Sequence, residues 1–128
     1  MVTGPIASGG LSAALNIAAS GLAAAATQVD IAAGNIANLN TPGYQSRQPD
    51  LVELSSGGVA VAGTTTDTTT PAPTGPDGSS NVDVAHEMLQ LTRAKLLYSA
   101  NAAVVRTADQ MLGTLLDTVN RANDGTNR

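Results

Sequence analysis

The sequence predicts a mainly α protein, in which long N- and C-terminal helices pair as an antiparallel, coiled-coil-like hairpin with a short extended or β arm and a disordered loop between them. Three observations carry this: apolar residues recur every seven positions near both ends, alanine supplies most of the apolar content, and a Thr-, Pro-, Gly- and Ser-rich stretch separates the two periodic regions. A period of 3.5 keeps one face of a helix turned toward a partner helix along its length. With 128 residues the chain has the size of one domain. Its parts therefore read as one structural unit: 1–44 a helix and its closing turn, 45–80 an arm and loop, 81–128 a second helix.

The first helix is expected from Leu11. Leu15, Leu22, Val29 and Ile36 form one row of its seam, and Leu11, Ala18, Ala25, Ala32 and Leu39 form the complementary row. Small residues in the second row predict a close approach of two backbones. Gly21 and Gly34 interrupt the seam, each at a helix cost of about 1 kcal/mol relative to alanine. The helix should stop near Asn38 to Asn40, because Thr41-Pro42-Gly43-Tyr44 places proline second and glycine third in a tight turn. Asn35 and Asn38, weak helix formers, suit either a cap or a hydrogen bond across a subunit contact.

Leu51, Val52 and Leu54 suggest a short strand, and Val59-Ala60-Val61, after Gly57-Gly58, suggests another. From Gly63 to Ser80 the composition cannot bury enough apolar surface to order itself, which predicts a mobile loop.

Asp83 is a good N-cap for the second helix, and Glu87 in the first turn complements the helix dipole. Val84, Leu91, Tyr98, Val105, Leu112 and Val119 repeat every seven residues, with support from Met88, Ala102 and Leu116. A neighbouring stripe runs through Ala94, Leu97, Asn101, Val104, Ala108, Met111 and Leu115. Two adjoining stripes exceed what one partner helix covers, so one is expected to face the first helix and the other a neighbouring subunit.

Composition excludes several function classes. The net charge is −4 with scattered Lys and Arg, so nucleic acid is not an expected partner. Cysteine is absent and His86 is the single histidine; no nucleophile elbow, P-loop or zinc-protease pattern occurs. No catalytic residue, metal site, cofactor or small-molecule substrate is expected, and the chain reads as a non-enzyme. The uncharged stretch from Leu11 to Val29 has the length of a signal peptide or membrane span, but it lacks a basic leader and is interrupted by Ser12, Asn16, Ser20, Thr27 and Gln28. Neither a cleaved signal nor stable membrane insertion is expected.

The run from Leu15 to Leu22, then Asp30, Asn35-Ile36-Ala37-Asn38 and Thr41-Pro42-Gly43-Tyr44, resembles the N-terminal signature of bacterial flagellar axial proteins, the rod and hook subunits. Asn81-Val82-Asp83-Val84, Glu87-Met88, Tyr98-Ser99-Ala100-Asn101 and the stretch from Thr107 through Asp109 to Leu112 resemble the C-terminal signature of the same proteins. The chain is most similar in size to the small proximal rod proteins. The resemblance implies a structural subunit of the basal-body rod that leaves the cytoplasm through the flagellar type III export apparatus and assembles in the periplasm. Its partners would be copies of itself and other rod or axial proteins. It would transmit motor torque, and motility would require it. Leu15, Leu22, Val29, Ile36, Leu91, Tyr98, Val105 and Leu112 are the expected helix-packing and assembly residues. The family motif falls on Asn35, Asn38, Thr41, Pro42, Gly43, Tyr44, Asn81, Asp83, Asn101 and Asp109. From the seams alone, a helical-hairpin adaptor or chaperone-like binding module is the alternative.

Overall fold

The structure, a computed structural model, describes residues 6–68 and 80–126. Four elements follow in order: α1 (Ile6–Ala37), β1 (Arg47–Glu53), β2 (Val59–Thr66) and α2 (Val84–Thr126). Alanine keeps α1 helical over 32 residues, about 48 Å. It begins upstream of Leu11, where the seam starts, because the backbone hydrogen-bond ladder needs no apolar face to continue. It stops at Ala37. Thr41 to Tyr44 then close a turn in which the Tyr44 amide donates to the Thr41 carbonyl at 3.1 Å. Gly43 takes φ of +74°, the left-handed value that the third position of a type II turn requires.

β1 and β2 form an antiparallel hairpin. Arg47 stands opposite Thr66 and Glu53 opposite Val59, with a register shift between Asp50 and Leu51 that leaves Ala62 as the extra residue of a bulge. Gly63 to Thr66, expected to begin the mobile loop, complete β2 instead. Threonine suits a half-exposed pleat, and the Thr65 hydroxyl lies 2.7 and 2.8 Å from the two Asp50 carboxylate oxygens across the pair. Of the rest of the expected loop, Asp67, Thr68 and Ser80 are described and belong to neither strand nor helix, and residues 69–79 lie outside the described residues.

The hairpin lies along α1, its tip against Ile17 and Ser20. Ser20 Oγ donates to the Ile17 carbonyl at 2.7 Å and accepts from the Val59 amide at 3.1 Å. Gly58, at φ +96°, passes so near that a β-carbon there would come within 2.5 Å of Ser20 Oγ.

α2 runs antiparallel to α1: Gly21 meets Asn101, and Asn35 meets Glu87. Between them lie Ala18, Ala25 and Ala32 of α1 with Ala94 and Ala108 of α2, all buried. The larger seam residues Leu15, Leu22, Val29, Ile36, Leu91, Val105 and Leu112 flank this alanine contact, half-buried. Tyr98, expected in the seam of α2, is 49% exposed. The row nearest α1 is Glu87, Ala94, Asn101 and Ala108, because small residues there let the axes close up and push the bulkier row outward. Val119 is exposed as well.

By length and composition Gly9–Ala37 could cross a membrane. Here that segment is the strip on which α2 and the hairpin both lie.

Candidate functional site: a polar junction and an exposed apolar stripe

Asn35 comes late in α1 and is fully buried, at 0% exposure. Its Nδ2 donates to the Arg47 carbonyl at 2.8 Å and to Glu87 Oε1 at 2.9 Å. Its Oδ1 accepts from the Arg47 amide at 2.9 Å and from the Tyr44 hydroxyl at 3.0 Å. A side-chain amide has two donors and two acceptor lone pairs, and all four are used. One residue thus joins α1, the turn, the start of β1 and the first turn of α2. Neither of its expected roles, cap or cross-subunit contact, describes this position: its partners all lie within the chain.

Glu87 belongs to the same cluster. It is 5% exposed, so its carboxylate is turned inward to Asn35 rather than out along the helix end. Asp83 caps α2: its Oδ1 accepts from the His86 amide at 3.2 Å. His86 itself is exposed, its Nε2 3.3 Å from Gln90 Nε2.

Asn38 closes α1, donating from Nδ2 to the Gly34 carbonyl at 2.9 Å and accepting from the Thr41 hydroxyl at 3.1 Å. Pro42 and Gly43 are exposed on the turn. Asn81 ties the return of the chain to its departure. Its Oδ1 accepts from the Ser46 amide at 2.6 Å, its Nδ2 donates to the Asp67 carbonyl at 3.1 Å, and its amide donates to the Tyr44 carbonyl at 3.2 Å. Ser80, also buried, donates from Oγ to the Leu39 carbonyl at 2.6 Å. Ser46, Ser80 and the Arg47 backbone are members of the junction that the sequence did not mark. Asn101 and Asp109 stand apart from it, farther along α2: Asn101 packs over Gly21 and donates to the Leu97 carbonyl at 2.8 Å, and Asp109 is exposed.

The second feature is apolar. Of the stripe beside the α2 seam, Ala94 and Ala108 are buried against α1, while Leu97, Val104, Met111 and Leu115 are exposed at 45–57%. They lie on one side of α2 over about five turns, along the edge of its contact with α1, where Val104 and Met111 border Leu11 and Ala14.

Two family models match the chain: Flagella basal body rod protein over residues 15–45, and Flagellar basal body rod FlgEFG protein C-terminal over residues 78–118. No curated protein matches it in sequence. The matched segments span more than half of the chain, and they meet at the junction, since Asn35, Asn38 and Tyr44 belong to one and Asn81, Asp83 and Glu87 to the other. With both terminal signatures present in order and closed on each other by hydrogen bonds, the chain belongs to the flagellar basal-body rod protein family.

Proposed function

We propose that this chain, a structural component of the flagellar basal body by its family, assembles through its two helices with copies of itself and with other rod or axial proteins into the tube that carries motor torque. The observation that carries the reading is the exposed row Leu97, Val104, Met111 and Leu115, an apolar seam left over after α1 and α2 have paired. Torque passes along such a tube only if each subunit holds its own shape, and the Asn35 junction supplies directional bonds at the point where four segments meet. On this reading the chain leaves the cytoplasm through the type III apparatus without a cleaved signal, assembles in the periplasm and is needed for motility. It catalyses nothing; its work is mechanical.

Val105→Asp tests this. Val105 is half-buried where α1 and α2 pack, and an unpaired carboxylate there opposes the pairing. The variant should be exported yet be missing from purified basal bodies, with motility lost. Arg106 is exposed one residue on, so Arg106→Ala should incorporate and swim normally. Detection of the native chain only in the soluble pool, never in detergent-resistant basal bodies, would overturn the rod reading in favour of an adaptor.

A further inference from the structure

We infer that, in the unassembled chain, the outer edge of β2 pairs with the same edge of a second copy, joining two hairpins into a closed four-stranded sheet. The observation behind it is an asymmetry between the two edges of the hairpin. The Asp67 amide donates to the Ser46 carbonyl at 2.8 Å and the Leu54 amide to the Gly58 carbonyl at 3.1 Å, which sets the alternation of the ladder. Gln48 and Thr65 therefore bond to each other across the pair, while Arg47 and Pro49 of β1 and Thr66 and Thr64 of β2 turn their backbone groups outward. On the β1 side these positions are taken. Asn35 holds the Arg47 backbone, Pro49 has no N–H, and Leu51 faces Leu96 and Leu97 of α2 across a cleft.

The β2 side is open. Its edge touches α1 only at the tip, where the Val59 amide donates to Ser20 Oγ. Since β1 meets α1 at Asn35 and β2 meets it at Ser20, the hairpin crosses the helix obliquely, and Thr64 to Thr66 lie on the side away from it. These residues are exposed, and the outward N–H and C=O groups of Thr64 and Thr66 meet no partner among the described residues. Nor is the edge guarded by composition. Val59–Thr66 contains neither proline nor a charged residue, whereas Arg47–Glu53 contains both.

In a second copy the β1 edge is blocked in the same way, so the edge left to meet β2 is β2 itself. Antiparallel strands are complementary to themselves, and the regular stretch, past the bulge at Ala62, is Thr64 to Thr66. Thr64 then stands opposite the partner's Thr66, Thr66 opposite the partner's Thr64, and Thr65 lies on the two-fold axis facing its counterpart. Threonine pairs across strands are favourable, and no like charges meet. The outer edges of the resulting sheet are the blocked ones of β1, so growth stops at two. A two-fold contact sets its copies in opposite directions, whereas subunits of a tube built by one repeated contact share a direction. The pair thus belongs to the free chain and stands apart from the rod contacts.

The chain has no native cysteine, which makes disulfide trapping clean. Across the axis the Thr65 α-carbons would be about 4.5 Å apart, within the reach of a disulfide. Purified Thr65→Cys protein, oxidised, should give a linked dimer several-fold above Gln48→Cys, which shares its face but lies one strand farther from the axis. Adding Thr64→Pro removes the outward N–H without touching the hairpin's own ladder and should lower the yield several-fold. Thr64→Val keeps the N–H and should leave the yield unchanged. Sedimentation equilibrium of the chain without cysteine should show a reversible dimer that Thr64→Pro abolishes, with circular dichroism verifying that the helices of the variant are intact. A Thr65→Cys yield no higher than that of Gln48→Cys overturns the inference, whether or not the proline variant folds. A dimer that survives Thr64→Pro in a folded chain overturns it as well, since association then runs through the helices.

Discussion

The two ends of the helix pair are held by different physics. At the junction end, around Asn35, Glu87, Tyr44 and Asn81, hydrogen bonds of 2.6 to 3.2 Å fix the position of each segment. Along the shaft, alanine meets alanine, and α2, at 43 residues, outruns the 32 residues of α1. Hydrogen bonds are directional and specify a single arrangement; alanine contacts are smooth and bury little area each. The junction therefore fixes how the segments of the chain meet, while the shaft leaves apolar side chains of α2 exposed.

Three sets of substitutions test that contrast. The largest effect is expected for Asn35→Ala, which strips partners from the Arg47 backbone, the Tyr44 hydroxyl and the Glu87 carboxylate at once. Each buried group left unpaired costs about 1–3 kcal/mol, so a loss of roughly 3–5 kcal/mol is expected in urea unfolding. A loss under about 1 kcal/mol would mean that the junction is not what holds the four segments together. Next comes Ala94→Leu at a fully buried contact, where overpacking should cost about 1–3 kcal/mol, against less than roughly 0.5 kcal/mol for Ala103→Leu on the exposed side of the same helix. Equal effects would show that the alanine shaft is looser than its burial implies. The smallest effect is a gain. A β-carbon at Gly34 meets nothing within 4 Å, so Gly34→Ala should raise stability by roughly 0.5–1 kcal/mol. At Gly21 the same change places a β-carbon 2.6 Å from Asn101 Nδ2, and displacement of that side chain should cancel the gain. Thermal unfolding of the two alanine variants side by side decides it.

Periodicity made the helices legible, and the pair Pro42-Gly43 made the turn legible, because each is a local signal. The seam rows of α1 were readable for the same reason. What could not be read locally was which row of α2 lies innermost. Seven-residue spacing marked the large residues, yet the backbones approach along Ala94 and Ala108, and Tyr98 is left half outside. The junction was visible only as residue types. Asn35 reaches Arg47, 12 residues on, and Glu87, 52 residues on, and no local pattern encodes a bond that appears only when the chain has folded back. The strand at Gly63 to Thr66 was hidden by composition, since threonines that pair across a hairpin and threonines in a loop read alike.

The bond from Asn35 to Arg47 has a consequence for aggregation. The Asn35 amide both donates to and accepts from the Arg47 backbone, as a neighbouring strand would, so it stands in for one residue of a third strand at the outer edge of β1. The next backbone position facing that way is Pro49, which has no N–H to offer. A hairpin with a bare edge is a template for uncontrolled sheet growth, and the danger rises wherever many copies are crowded together. Here a buried asparagine and a proline take up two successive positions on that edge, which blunts the start of β1 as a template for pairing with another strand.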